Sequence, residues 1–158
     1  MALGPDRSAE YGSDQNFYMN SAAERGGVVS LVSIGSGAAT DDANNLVIYA
    51  SNPSGKTPIG VLMNDVVDVD LARYNLNRYK DEVVKGSKVN LRTWGEVVTN
   101  MLKSGDAPAA GDKAYLDADG RITKTLTGTV QSPRVGSFKS QKDQNGYARF
   151  AFNFLALP

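Results

Sequence analysis

VVSLVSI (28–34), NLVIYA (45–50) and PIGVLM (58–63) are short β-branched apolar runs, each bounded by Gly, Ser, Asn or Asp. Runs of this length and composition suit strands and are too short for buried helices. Alternation appears further on. In VVDVDLA (66–72), Val67, Val69 and Leu71 fall on one face and Asp68 and Asp70 on the other. In SKVNLRT (87–93), Val89 and Leu91 oppose Lys88, Asn90 and Arg92. In YARFAFNFLAL (147–157), Phe150, Phe152 and Phe154 share a face by the period-2 rule, and that face is expected to be core. WGEVVTNMLK (94–103) also carries a helical stripe, through Trp94, Val97, Val98, Met101 and Leu102. Val-Val-Thr and Gly95 oppose a helix, and the segment is expected to be a strand. Strands recurring between Gly, Asp and Asn turns predict an all-β fold, a small β-sandwich or barrel-like domain.

A chain of 158 residues suggests one domain with an appended segment, and 41% hydrophobic residues suffice for a core. Residues 1–25 are polar, small and without sustained period. They are expected to form an extended N-terminal arm on a β-rich body of residues 26–158. Tyr11, Phe17, Tyr18 and Met19 interrupt the polarity of the arm. Such side chains either anchor onto a partner or pack on their own domain.

Composition narrows the chemistry. The chain has no cysteine, which removes disulfides and thiolate metal sites. It has no histidine, which removes the usual neutral-pH proton shuttle and the Ser–His and Cys–His nucleophile pairs. Net charge is zero, which gives no sign of a general nucleic-acid binder. The distribution is uneven: residues 1–60 carry six acids and three bases, residues 113–158 three acids and seven bases. The first residues lack the apolar core of a signal peptide, and no apolar run approaches membrane-spanning length, so a soluble protein made in a cytoplasm is expected.

Several stretches imitate chemical motifs and fall short. In YLDADGRIT (115–123), Gly120 at the sixth position of a calcium loop puts Asp117 and Asp119 at the third and fifth. Tyr115 and Leu126 then occupy the first and twelfth, where oxygen ligands belong. A hairpin turning on Asp119-Gly120 fits better. PSGKT (53–57) lacks the leading glycine of a phosphate loop, Ala50 standing there, and a strand pattern follows where a helix is needed. GSG (35–37) has Thr40 where a dinucleotide fingerprint needs its third glycine. Asp68 and Asp70, about 6.5–7 Å apart on one strand face, have the spacing of a carboxylate pair in a glycosidase, but any half-exposed strand shows it. Trp94, the one tryptophan, reads as core or subunit contact before sugar platform. No catalytic residue, cofactor or metal ligand is expected.

The order of segments carries the resemblance. GVLMNDVVDVDL (60–71), KDEVVKGSKVNL (80–91), GEVVTN (95–100), PAAGDKAYL (108–116) and VGSFKSQKDQNGYARFAF (135–152) occur in that sequence over roughly two-thirds of the chain. This pattern resembles the small capsid decoration, or cement, proteins of tailed bacteriophages. The resemblance implies a non-enzymatic β-rich protein that binds the outside of the expanded head as a trimer and clamps neighbouring major capsid subunits. An N-terminal arm contributes to the clamp, and neither nucleic acid nor membrane is a partner. On that reading Tyr11, Phe17, Tyr18 and Met19 are capsid contacts. Arg73, Tyr74, Arg78 and Tyr79, in the polar segment DLARYNLNRYKDE (70–82), and Trp94 are subunit or capsid contacts. A carbohydrate- or receptor-binding β-domain on a virion surface is the alternative, and a carboxylate hydrolase the weakest reading.

Overall fold

A computed structural model describes residues 12–32, 45–68, 82–126 and 132–156. The strands are β1 (Gly12–Met19), β2 (Val28–Val32), β3 (Leu46–Ile48), β4 (Pro58–Leu62), β5 (Asp65–Val67), β6 (Glu82–Val84), β7 (Lys88–Thr99), β8 (Lys113–Leu116), β9 (Ile122–Thr123), β10 (Arg134–Phe138) and β11 (Ala148–Asn153). The fold is all-β, with short 3-10 turns at Ala118–Gly120 and Phe154–Ala156. β7 runs unbroken through Trp94, Val97 and Val98 to Thr99, so the ambiguous WGEVVT stretch is strand.

Two rolled lobes share β7. In the main sheet the order is β1-β3-β2-β4-β7-β11-β10-β8-β9, and β1 also pairs with β7. That extra pairing closes β1, β3, β2, β4 and β7 into a ring. The remaining strands curl away from the C-terminal half of β7, and a bridge from Leu102 to Ile122 of β9 brings their free edge back to the chain just after β7. β5 and β6 form a small parallel pair beside the first lobe.

Each lobe has its own core. One gathers Met19, Val29, Val47, Leu62, Val66, Val89 and Leu91. The other gathers Val28, Val61, Val97, Leu116, Val135, Phe138, Phe150 and Phe152 among its buried residues. Val28 pairs directly with Val61, and both face the second core, whereas their neighbours Val29 and Leu62 face the first. β2 and β4 are therefore a wall between two cores. A strand buried on both faces reads as a continuous apolar run rather than as an alternation, which is why VVSLV and PIGVL lack polar partners in sequence. The same wall explains Arg92. The alternation placed it opposite Leu91, on the side of Lys88. In the structure it lies opposite Val61 and is only 8% exposed, its guanidinium donating to the Glu96 carbonyl at 2.8 Å.

The phenylalanine stripe forms at Phe150 and Phe152, but the expected strand ends at Asn153, and Phe154 joins the row from a 3-10 turn, partly buried. Phe150 and Phe152 are buried and stack at 4.8 Å between centroids, and Phe154 continues the row at 5.2 Å. The Asp119-Gly120 hairpin also forms. Asp119 (φ 56°, ψ 35°) and Gly120 (φ 73°) are both left-handed, and the Arg121 amide donates to the Ala118 carbonyl at 3.2 Å, closing the turn between β8 and β9. Asp117 sits 3.5 Å from the Lys103 ammonium. The turn docks on the other lobe: the Asp119 amide donates to the Ala50 carbonyl at 2.9 Å, and a Cβ on Gly120 would lie 2.7 Å from Tyr49 Cε1.

The expected arm divides differently from its sequence boundary. Gly12–Met19 is β1, antiparallel to β7 and parallel to β3. Ala23 exchanges two backbone hydrogen bonds with Val66. β1 carries no readable period because its ladder shifts register between Gly12 and Ser13 and again between Asp14 and Phe17.

Candidate functional site

The expected contact residues fall into three groups. Tyr11, Arg73, Tyr74, Arg78 and Tyr79 lie outside the described residues, as does Asp70. Phe17, Tyr18 and Met19 lie on β1. Met19 is fully buried in the first core, so in this fold its side chain packs on its own domain. Phe17 is partly buried against the same core, and Tyr18 carries the Lys88 ammonium 5.5 Å above its ring. Trp94 pairs with Gly12 of β1 and with Asn153 of β11, and its indole occupies the space that a side chain at position 12 would need. It is a partly buried joint between the lobes. Asp68 has a side chain 76% exposed, 3.8 Å from Lys85. Among the described residues no cluster of three or more acidic side chains could hold a metal ion.

PSGKT forms a surface turn: Gly55 is left-handed and the Lys56 amide donates to the Pro53 carbonyl at 3.2 Å. β4 follows directly, so there is no helix end to hold a phosphate. This turn borders an open groove of about 940 Å³. One wall is Lys56, Thr57 and Pro58, the other is Pro133 to Ser137, and Phe152 and Phe154 contribute to the lining. The groove exists because strand pairing ends there. Pro58 opens β4 and Pro133 precedes β10, and neither can donate to a ladder. β11 stops at Asn153, whose side-chain oxygen accepts the Leu155 amide at 3.1 Å and turns the chain out of the sheet. Leu155 is left 74% exposed beside Phe154. The charged residues lining the groove, Lys56 and Arg134, are both basic. Sequence reading singled out the PSGKT turn and the phenylalanine row but not their meeting, which depends on the path of β10.

Among the described residues the Tyr49 hydroxyl is the group whose ionisation is shifted. It donates to the Glu24 carbonyl at 2.6 Å and accepts from the Gly27 amide at 3.1 Å. Burial pushes its ionisation well above the usual phenol range, with the carboxylates of Asp65 and Glu24 adding to the effect against the Gly27 hydrogen bond. A phenol held this firmly neutral is a structural lock between Tyr49, the β2 entry and the Asp119-Gly120 turn.

A two-lobed, barrel-like β-protein with an open, aromatic-lined, basic groove has the build of an interaction module. The comparison with protein families is specific: the structural cement protein family (E217 gp24/Pam3 gp6) matches residues 7–153, and the chain belongs to that family. The protein is thus a structural component of a phage capsid, of a family that cements capsid subunits. Comparison with curated proteins returns no match.

Proposed function

We propose that the protein binds the outer surface of a phage head as a homotrimer, bridges neighbouring major capsid subunits and stabilises their contacts without catalysing a reaction. The observation that carries this reading is the family match over nearly the whole chain. The composition agrees: a clamp needs no proton shuttle, and the chain has no histidine or cysteine. The N-terminal residues contribute to the clamp, with Tyr11 as an anchor. Phe17, Tyr18, Trp94 and the segment bearing Arg73, Tyr74, Arg78 and Tyr79 supply subunit or capsid contacts, and Met19 serves the fold. Ordering an arm on binding is entropically costly, and buried aromatics offset that cost. Three copies multiply individually weak contacts through effective concentration. The protein is made in the host cytoplasm and has neither a nucleic-acid nor a membrane partner.

A carbohydrate-binding reading needs exposed rings to stack on sugar. Every aromatic side chain whose burial is described is at least partly buried, which favours the clamp. The test is reconstitution: purified protein added to expanded heads that lack it should co-sediment with them and raise their melting temperature. Absence of binding at micromolar concentration refutes the proposal. Native mass spectrometry checks the trimer.

A further inference from the structure

We propose that the groove between the PSGKT turn and β10 is the seat for an extended, acidic segment of the capsid subunit, one that presents a large apolar side chain flanked by carboxylates. This deepens the capsid-binding reading and rests on it.

The floor is rigid. Phe152 and Phe154 belong to a stacked row anchored by Phe150, which is fully buried, so no aromatic must be ordered when a ligand arrives. Pro133, partly exposed, supplies apolar surface of fixed backbone, and Pro58 opposite it is buried. The apolar strip is made by Phe152, Phe154 and Pro133; Leu155, the residue after Phe154 in the chain, lies outside the groove lining and is 74% exposed. Such a strip costs solubility unless it has a use, and a groove of about 940 Å³ admits several side chains of an extended chain.

Charge selects the occupant. Lys56 stands on one wall and Arg134 on the other, both exposed, and among the described residues no acid lines the groove. An incoming carboxylate meets a cation on either side, and either cation can form a charge-assisted pair with it. A second copy docking the same face by two-fold symmetry would bring like charges together, which opposes a two-fold dimer through this surface.

The experiment uses the full chain and cement-free expanded heads. The double variant Lys56→Glu/Arg134→Glu is made alongside Leu155→Asp, all at exposed positions where folding should be unaffected, and alongside the charge-conserving Lys56→Arg/Arg134→Lys. Head binding is measured by co-sedimentation at low and high salt, with native mass and melting temperature recorded for each protein. The expected result is at least tenfold weaker binding for the charge reversal and for Leu155→Asp, near-normal binding for the charge-conserving pair, and unchanged native mass. Salt should weaken the wild type more than the reversed variant. Wild-type binding with an equally tight reversed variant overturns the groove while the cement function stands. A changed native mass in the reversed variant shows that a second copy occupies the groove, and also overturns it. If the wild type itself fails to bind heads, the cement reading fails and takes the groove with it.

Discussion

Replacing Tyr49 by Phe keeps the ring over Gly27 and Gly120 and removes one oxygen, so it isolates the hydroxyl lock. The Glu24 carbonyl belongs to an exposed residue and can turn to water. The Gly27 amide belongs to a buried residue and loses its acceptor. A buried donor left unsatisfied costs about 1–3 kcal/mol, so the expected loss is about 2 kcal/mol. For a chain of this size that lowers Tm by roughly 4–8 °C. The pH dependence gives an independent check. The folded-state pKa of Tyr49 is raised, so below the ordinary phenol value of about 10 the hydroxyl is neutral in both states and contributes in full. Above it the unfolded chain ionises first, and stability falls by about 1.4 kcal/mol per pH unit until the folded phenol also ionises. Tyr49→Phe lacks this term. The stability gap between the two proteins should therefore narrow as pH rises from 10 to 11. Urea unfolding followed by the fluorescence of Trp94, the sole tryptophan, reads both quantities. A loss below about 0.5 kcal/mol at pH 7, or a gap constant across the alkaline range, would refute the lock.

Gly120→Ala should cost about 1–2 kcal/mol for the left-handed backbone alone, with more for displacing the Tyr49 ring, and an unchanged Tm would show that the turn does not dock as described. Phe150→Ala, at the buried end of the aromatic row, should cost about 3–5 kcal/mol by chemical denaturation. Removing residues 1–11 should leave a folded body by circular dichroism, whereas removing residues 1–19 deletes β1, opens the ring and empties the seat of Met19; equal stability of the two truncations would contradict the closed lobe. Asp68→Asn should change stability by less than about 1 kcal/mol and leave head binding intact, because its pair with Lys85 is exposed.

What could be read from the sequence was local. β-branched runs between turn residues, the phenylalanine alternation and the Asp119-Gly120 pair each fix a strand or a turn within a few residues, and β2, β3, β4, β11 and the turn form within them, whereas in VVDVDLA the buried residue is Val66 rather than Val67 and residues 69–72 lie outside the described residues. β1 was not legible as a strand. Its polar composition reflects a register broken twice, and its hold on the fold comes from pairing with β3 and β7 and from the buried Met19, which a single position cannot advertise. Arg92 escaped for a different reason: an alternating strand announces two faces but not that both will meet hydrophobic cores. The groove is less legible still. Pro58, Pro133 and Phe154 are far apart in sequence, and only the order of β10 and β11 beside β7 brings them together.

The single strand common to both lobes has a mechanical consequence. β7 is 12 residues long, about 40 Å of nearly inextensible chain, and neighbours on its flanks hold it from end to end. Force that draws β7 lengthwise against its neighbours loads those ladders in shear, many hydrogen bonds at once, rather than peeling them one by one. The wall of β2 and β4 then ties the yielding of one core to that of the other. A protein of this build, held by β7 and by β11 and pulled lengthwise in an optical trap, should give one high-force rupture rather than two small ones, which is the behaviour of a rivet.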